Sequence, residues 1–532
     1  MDSERACHLR GMAILTAFLI LLCTIPGYGQ QSSTGVPAPA DNSLAQPIQE
    51  LRQQVQELQA AVAEIRAESR RYREETEELR RELQAVRGAG PKSEERETVA
   101  EERGTDYSNA AASPSGDQAA AQKSERHAAS LQEEYDLLSG KVDEQYQTKV
   151  ESASKYRVRL SGIILLNLFS NGGTVDNIDN PSLAYERPDG AAHGSFAATL
   201  RQSQIGLEVF GPDLIGAKTR ADLQMDFAGG FNRAPNGVNF GLMRLRTGTM
   251  HLDWAKTSVV GGQDGLFFSP ESPTSFASLA EPALSYTGNL WAWTPQVRVE
   301  HRWSAGENSN FVVQGGILDP LTGEVPPSGY YRQPGPGEAS RQPAYATRVA
   351  WTYNLFGQPL RIGVAGYYSR QNYGFERNVD GWAGITDWEV PLGHKLSLNG
   401  ELYRGSAIGG IGGGIGRSVL FSGNPGLEST LVRPLNSVGG WAQLKYRPVS
   451  KLEFNGAFGQ DNPFASDVRA FSNAQSTGDP TLIRNQGSFA NVIYRPRSDL
   501  LFSAEYRHLR TFNIFDQSYN ADQVNLSMGV LF

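Results

Sequence analysis

The sequence predicts an all-β transmembrane barrel of about 16 antiparallel strands, preceded by an N-terminal α-helical coiled coil. Three observations lead to this fold class. Apolar and polar side chains alternate along strand-length segments of residues 156–532, the connections between those segments alternate in length, and residues 48–86 carry a heptad repeat. A strand that alternates in this way has one apolar and one polar face, which suits a wall between lipid and water.

The first element, residues 1–29, has the pattern of a secretory signal peptide. Arg5 and Arg10 precede an apolar run that is followed by small and turn-forming residues. The run is about 14 residues long, whereas a membrane-spanning helix needs roughly 20. Both cysteines, Cys7 and Cys23, lie in this segment. After cleavage the protein would have no thiol, which excludes disulfides, thiol catalysis and cysteine metal sites.

Residues 44–87 are predicted to form a parallel, periplasmic coiled coil. Glutamates occupy g positions and arginines the following e positions, so parallel helices bring opposite charges together. The charged residues are Glu68, Glu75, Glu82, Arg73, Arg80 and Arg87. The apolar seam consists of Ile48, Leu51, Val55, Leu58, Val62, Ile65, Tyr72, Leu79, Leu83 and Val86. Polar interruptions at Ser69 and Thr76 leave two and three strands both open.

Residues 88–155 follow as a flexible tether that contains one short helix. The tether is charged and has few large apolar side chains, a composition typical of linkers. Residues 1–155 hold 18 Lys and Arg against 26 Asp and Glu, while residues 156–532 hold 31 of each. The barrel segment is therefore neutral, and no basic surplus indicates a nucleic-acid partner.

Residues 156–532 are predicted to form the barrel. The connections divide into eight long and seven short ones, as in an even-stranded barrel with long external loops and short periplasmic turns. Counts of 14 and 18 strands stay open beside 16. The predicted strands are 156–169, 196–210, 216–228, 241–253, 257–264, 290–304, 309–318, 343–355, 359–370, 380–391, 394–405, 436–447, 451–460, 486–496, 499–510 and 522–532.

The last of these strands shows the two faces most clearly. Val524, Leu526, Met528, Val530 and Phe532 share one face, and mostly small or polar residues share the other. A terminal aromatic residue on such a strand resembles the C-terminal signature that barrel-insertion machinery reads in bacterial outer-membrane barrels. Phe532 is therefore predicted to be a membrane-insertion signal. Aromatic residues near the strand ends are predicted to form interfacial girdles: Trp291, Trp293, Trp303, Trp351, Tyr353, Trp382, Trp388, Trp441 and Tyr494.

Catalytic signatures are missing from the sequence. The glycine-rich run 409–416 has no following Lys-Ser or Lys-Thr, so we interpret it as a flexible loop rather than a phosphate-binding loop. The histidines of the barrel segment occur singly, without metal-site spacing. We therefore predict that the protein is not an enzyme and has neither a cofactor nor a metal site.

The order of signal peptide, coiled coil, tether and barrel resembles a coiled-coil-bearing trimeric outer-membrane porin. It is similar to the dicarboxylate-type porins and, more distantly, to the phosphate-selective porins. The resemblance implies a homotrimer in outer-membrane lipid that allows passive diffusion of small polar or anionic solutes. It also implies a periplasmic extension that contacts peptidoglycan, and barrel-insertion machinery as a partner during biogenesis. The alternative is a structural cell-envelope tether or adhesin with the barrel as its anchor.

The resemblance further implies that the third long loop, about 265–289, folds into the lumen. This loop would bring its acidic residues Glu271 and Glu281 opposite basic side chains such as Arg298 and Arg302. Sixteen strands enclose a lumen too wide for side chains to fill, so inward charges should line water. The predicted pore-lining or constriction residues are Lys218, Arg220, Asp222, Glu271, Glu281, Arg298, Glu300, Arg302, Arg348, Lys445, Glu505 and Arg507.

Overall fold

The computed structural model describes residues 149–150 and 157–532, with gaps at 231–240, 307, 325–330 and 472–478. The predicted signal peptide, the coiled coil and nearly all of the tether lie outside these residues. No helix in the described part of the chain is long and apolar enough to cross a membrane. Two short helices are present, α1 (Pro336–Ala339) and α2 (Ala465–Ala470).

The strands are β1 (Lys149–Val150), β2 (Arg157–Gly172), β3 (Thr174–Val175), β4 (Ala184–Tyr185), β5 (Gly194–Thr199), β6 (Gln204–Phe210), β7 (Lys218–Asp226), β8 (Arg244–Asp253), β9 (Thr257–Gly265), β10 (Trp293–Ser304), β11 (Ser309–Leu318), β12 (Ala344–Leu355), β13 (Gln358–Asn372), β14 (Asn378–Pro391), β15 (Leu396–Ser406), β16 (Val419–Phe421), β17 (Val432–Pro434), β18 (Asn436–Val449), β19 (Leu452–Pro463), β20 (Leu482–Arg497), β21 (Leu500–Asn513) and β22 (Ser518–Leu531).

These strands form a closed antiparallel barrel with 16 strand positions, which confirms the predicted barrel. We call each position around the ring a stave, because one of them is made by two strands. Each stave pairs with its neighbour in sequence, and β2 pairs with β22 to close the ring. β5 and β6 together make one stave, because both pair with β2 on the same side. The short pairs β3–β4 and β16–β17 lie in loops, and β1 adds two residues beside β2. Long and short connections alternate around the ring.

The second stave is interrupted between β5 and β6. β6 pairs with β2 as far as Ile163, and β5 begins its pairing at Asn167. The backbone N–H of Leu165 would lose its partner at this break. It donates instead to the hydroxyl of Ser203, 3.0 Å away. A buried donor without a partner is costly, so Ser203 allows the wall to tolerate the interruption.

The two faces of the wall differ as the alternation predicts. On β22, Val524, Leu526, Met528 and Val530 are exposed on the outer face, while Asn525 and Ser527 are buried on the inner face. On β10, Val297 and Val299 are likewise exposed outward and Arg298 points inward. An apolar exterior around a polar interior is the arrangement of a barrel that stands in lipid.

The predicted aromatic girdles are partly wrong. Trp303, Tyr353, Trp382 and Tyr494 are exposed on the outer wall. Trp441 faces inward instead and is buried in a cluster with Leu284 and Phe489. Trp291 and Trp293 pack against each other, with ring centroids 5.4 Å apart. The Trp293 ring also lies beneath the guanidinium groups of Arg244 and Arg246. Alternation alone did not reveal that lumen-side loops would cover these aromatic positions.

The glycine-rich run is packed rather than flexible, so the sequence interpretation was wrong. Gly409–Ile411 form a 3₁₀ turn, and Ile411 is buried. A Cβ atom on Gly410 would lie 2.2 Å from the carbonyl carbon of Leu321. Glycine is therefore required here so that two loop backbones can approach closely. The run helps to fill the end of the lumen where the long loops lie.

Candidate functional site

Residues 266–292, the connection between β9 and β10, lie inside the lumen; we call them the inner loop. The loop follows the inner wall and bonds to staves on several sides. Ser269 Oγ donates to Glu401 of β15 and Ser275 Oγ donates to Glu505 of β21, each at 2.5 Å. Asn491 of β20 donates to the carbonyl oxygen of Thr274 at 2.9 Å. These buried hydrogen bonds hold the loop against the wall and narrow the lumen.

The first part of the inner loop is held by apolar packing. The rings of Phe267 and Phe268 meet edge to face at 5.5 Å, and Phe268 stacks on Tyr367 of β13 at 5.3 Å. Ile408 and Ile411 from the connection 407–435 join the same buried cluster. Offset and edge-to-face aromatic pairs add stability beyond the area they bury. This side of the lumen is therefore a packed core near the long loops.

The second part of the inner loop is held by two arginines that the sequence analysis missed. Arg244 donates to the carbonyl oxygen of Ala280 at 2.6 Å, and Arg246 donates to that of Leu279. Both guanidinium groups also pair with the buried carboxylate of Asp226, at 2.7 and 3.3 Å. Because both arginines occupy inward positions of β8, the alternation could have identified them as lumen residues. It could not have revealed their contact with carbonyl groups of the inner loop.

Gln202 at the strand break holds the same part of the loop. Its side chain donates to the carbonyl oxygen of Ala277 at 2.9 Å and accepts from the backbone N–H of Leu279 at 2.6 Å. The interruption of the second stave therefore also provides an anchor for the inner loop.

Three residues that we predicted to line the pore are buried instead. Arg348 of β12 forms two hydrogen bonds with Asp387 of β14, at 3.0 and 2.6 Å, and only 5% of Arg348 is exposed. Glu505 and Arg507 of β21 lie beneath the inner loop, 2.8 Å apart, and Arg507 also donates to Asn180. All three side chains point inward, but ion pairing and the loop remove them from water. We therefore assign these three residues a structural role: they hold the inner loop and the barrel wall in place.

The acidic residues of the inner loop meet different arginines from those we expected. Glu271 lies 3.0 Å from Arg361 of β13. Glu281 lies near Arg244, and burial together with the nearby carboxylate of Asp176 raises the pKa of Glu281 to about 7. The sequence alone could not show which inward arginines would lie at the same height in the barrel as the acidic residues of the inner loop.

Arg298 and Arg302 belong to a separate ion-pair network on β10. Arg298 pairs with Asp264 at 2.7 Å and with Glu300 at 2.9 Å, and Arg302 pairs with Glu300 at 3.1 Å. Arg298 meets the inner loop at the ring of Phe267, whose centroid lies 5.9 Å from the guanidinium carbon. The arginines of this network are largely neutralised by carboxylates on the same or the neighbouring stave. They therefore do not pair with the acidic residues of the inner loop.

Lys218, Arg220 and Asp222 lie on the inward positions of β7. Lys218 is exposed. Arg220 pairs with Asp253 at 3.2 Å, and Asp222 accepts from Thr249 at 2.6 Å and contacts His251 at 3.0 Å. These residues form a mixed-charge surface toward the short-turn end of the lumen.

A second charged surface, which we call the basic band, lies across the lumen. It consists of Arg361, Lys445, Arg447 and Arg495, which occupy inward positions on β13, β18 and β20. Acidic partners are nearby: Glu453 accepts from Arg447 at 2.6 Å, and Glu389 pairs with Arg361. A cavity of about 280 Å³ opens beside Lys445 and Arg447. Of this band, only Lys445 was named from the sequence.

The closed 16-stave wall and its inward-folded third long loop define a porin-type barrel fold. The chain is similar to the outer membrane channel DcaP of Acinetobacter baumannii, with 17% identity over 72% of this chain and 99% of that one and a TM-score of 0.52. At this identity the similarity shows the fold alone.

Two further solved structures are more distant. The anion-selective porin from Comamonas acidovorans is 10% identical over 71% of this chain and 100% of that chain, with a TM-score of 0.44. OmpT of Vibrio cholerae in its trimer form has the same identity and coverage and a TM-score of 0.39. No protein-family model matches the chain, and no curated protein matches its sequence.

Proposed function

We propose that the protein is an outer-membrane porin that allows small polar or anionic solutes to diffuse passively through its barrel. The observation that carries this proposal is the inner loop, fixed by hydrogen bonds and ion pairs across the lumen of a closed barrel. Such a loop narrows a channel to a size that can select solutes. A barrel that served only as an anchor would not need a lumen lined by exposed charges.

The charges of the narrowed lumen support selection by polarity. The basic band lies beside Glu389 and Glu453 of neighbouring staves and faces Glu271 of the inner loop, so cations and carboxylates lie at close range along the narrowed passage. Opposed charges create a transverse field that orients polar solutes and disfavours lipophilic ones. The four cations exceed these three carboxylates by one, and the barrel segment as a whole is neutral. We therefore expect a mild preference for anions.

A homotrimer is part of this proposal, and the outer wall supports it. Exposed tryptophan and tyrosine side chains such as Trp303, Tyr353 and Tyr446 lie on staves from β10 onward. Strands β2 and β5–β9 contain no tryptophan or tyrosine, and β7 and β9 have only 9 residues each. Interfacial aromatics mark wall that meets lipid headgroups. The sector without them is the one we assign to contact between copies.

The N-terminal residues complete the proposed assembly. The signal peptide would direct secretion, and the coiled coil of residues 44–87 would join the copies in the periplasm, where the extension could meet peptidoglycan. Phe532 would be read by the insertion machinery before it takes its place beside β2. Each of these roles is inferred from the sequence pattern.

Planar-bilayer recording of the full-length protein tests the proposal. We expect stable conductance in three equal steps, and a larger unitary step when residues 270–282 of the inner loop are replaced by a short glycine-serine linker. A variant with a shortened connection 464–481, another long connection that joins β19 to β20, serves as a control. A barrel that inserts but does not conduct would contradict the porin and favour the tether or adhesin.

A further inference from the structure

A groove of about 660 Å³ opens on the outer wall at the break in the second stave. Its lining includes Ile164 of β2, Ala198 of β5, Ile205 of β6 and the terminal residue Phe532. Leu200, from the turn between β5 and β6, lines the same groove and is 54% exposed. The groove is therefore an apolar recess with large side chains open to the outside.

The break lies at membrane depth. On β2 the outward residues Ile164 and Leu166 stand beside the break, and both are apolar. Opposite them, residues 200–203 leave the strand and form a turn, in which the backbone N–H of Ser203 donates to the carbonyl oxygen of Leu200 at 3.0 Å. Irregular backbone at this depth is tolerated where protein covers it, but not where it faces lipid. The turn therefore indicates that protein covers this part of the wall.

The shape of the groove is fixed from inside the barrel. Arg201 of the turn pairs with Asp179 of the first long loop, and both side chains are largely buried. Gln202 is bound to the inner loop, and Ser203 is bound to the wall through β2. Only the first residue of the turn, Leu200, leaves its side chain exposed. The groove is therefore preformed, and a preformed surface binds a partner with less loss of conformational entropy.

An exposed aromatic ring projects beside the groove. Phe196 of β5 is 74% exposed and points outward, two residues before Ala198 on the same face. Two residues along a strand span roughly 7 Å. In the described strands β2 and β5–β9, Phe196 is the one aromatic residue that faces outward, because Phe169 and Phe210 face the lumen. Phenylalanine has no polar atom for lipid headgroups, so this ring suits an apolar partner surface.

We propose that a second copy of this chain covers the groove, with Phe196 of one copy packed into the groove of the next. This inference rests on the homotrimer proposed above and names the surface that joins its barrels. Copies that stand side by side in one membrane bring equal levels of their walls together. Phe196 of one copy would then meet the end of the groove at Ala198 in the next copy. Contact between a projecting ring and a recess is heterologous, and such contacts close into a ring of copies when the rotation allows.

Spin labelling of the full-length protein in lipid vesicles tests this assignment. The chain from residue 30 onward contains no cysteine, so an introduced thiol carries the only nitroxide. A nitroxide at Phe196→Cys should be immobilised and should collide with dissolved oxygen less often than a nitroxide at Val364→Cys. Val364 is the matched position, because it is 61% exposed on the outward face of β13. Power saturation of the spin-label spectra measures the rate of collision with oxygen.

A second substitution tests whether the ring lies in the groove. Ala198→Trp fills the groove and should raise the oxygen collision rate of the label at position 196 to that of the label at position 364. Val364→Trp, combined with the label at position 196, is the control and should leave this label shielded. Shielding that survives Ala198→Trp would overturn the placement of the ring in the groove.

Equal oxygen access at positions 196 and 364, without either tryptophan substitution, would overturn the proposal and assign the groove to lipid. Conductance recorded in parallel separates this outcome from a failure of the proposed function. Three equal conductance steps from a protein whose position 196 faces lipid would overturn the contact at the groove and leave the trimeric porin in place. A barrel that inserts but does not conduct would overturn the porin.

Discussion

The carboxylate of Glu271 lies 3.0 Å from the guanidinium group of Arg361, an ion pair that joins the inner loop to β13 inside the lumen. Arg361 also pairs with Glu389 of the neighbouring stave. Glu271 and Arg361 are partly exposed, so their charges act on water in the lumen as well as on each other. This pair is the point at which the inner loop and the basic band meet.

Arg361→Ala should shift the channel toward cations. The change removes one positive charge and leaves Glu271 and Glu389 without it, so the local potential becomes more negative. We expect the permeability ratio of K⁺ to Cl⁻ to rise roughly two- to fivefold, since partly exposed charges interact by about 0.5–1 kcal/mol. The reversal potential in a KCl gradient measures this ratio. Arg497→Ala, at an exposed turn, is the control. An equal shift in both variants would show that the Glu271–Arg361 pair does not determine the ion preference.

The pKa of Glu281 predicts a pH dependence of stability. Its value of about 7, against an ordinary 4.5, means that the folded protein disfavours the ionised carboxyl. The contribution of Glu281 to the free energy of unfolding is therefore largest below pH 4.5. It decreases as the pH rises from there through 7. Glu281→Gln should stabilise the protein at pH 8 by on the order of 1–3 kcal/mol and change little at pH 4.

Thermal unfolding of the detergent-solubilised protein between pH 4 and pH 9 measures this difference. Glu208→Gln, a lumen carboxylate far from the inner loop in sequence, is the control. A stabilisation by Glu281→Gln that is equal at pH 4 and pH 8 would contradict an ionisation effect.

The two faces of β10 should respond in opposite ways to charge. Val299→Arg places a guanidinium group on the outer wall, where arginine near the bilayer midplane costs roughly 2–4 kcal/mol. Arg302→Ala changes an exposed lumen residue and should leave the fold intact. Heat-dependent migration on gels after refolding into lipid vesicles reports the folded fraction. Efficient folding of Val299→Arg would show that this face does not meet lipid.

Much of the wall could be predicted from the sequence because each stave repeats one simple pattern. Val524 and Asn525 show why: neighbours on a strand face lipid and lumen, and their chemistry differs accordingly. The break at Ser203 could not be predicted, because β5 and β6 are individually ordinary strand sequences. Its explanation is a hydrogen bond from Leu165 that depends on the folded wall.

The candidate site was less predictable, because it depends on where loops fold. The alternation placed Arg348 and Arg507 correctly on the inward face, but it could not show that an ion pair and the inner loop would bury them. Arg244 and Arg246 hold the loop through its backbone carbonyl groups. Every residue has such a group, so the loop sequence does not reveal this contact. The glycines at 409–416 likewise serve a close backbone approach that is visible only in three dimensions.

The coiled coil of residues 44–87 lies outside the described residues and stays a prediction. Reversing the charge at Arg73, Arg80 and Arg87 together should lower the melting temperature of the isolated peptide, with a smaller effect at high salt. Each pair contributes only tenths of a kcal/mol. Circular dichroism and sedimentation measure helix content and association. A wild-type peptide that is unfolded and monomeric at high concentration would contradict the prediction.

The seam of the barrel should depend on Gly162. The backbone N–H of Gly162 donates to the carbonyl oxygen of Phe532 at 2.9 Å, and that of Phe532 donates back at 3.1 Å. A Cβ atom on Gly162 would lie 2.4 Å from the carbonyl oxygen of Gln204 and 2.7 Å from the Phe532 ring. Gly162→Val should therefore displace the terminal residue and cost about 1–3 kcal/mol through overpacking. Gly366→Ala is the control, because nothing lies within 4 Å of a Cβ there. Urea unfolding in lipid vesicles measures both variants, and equal stability of Gly162→Val and wild type would show that the seam does not need this glycine.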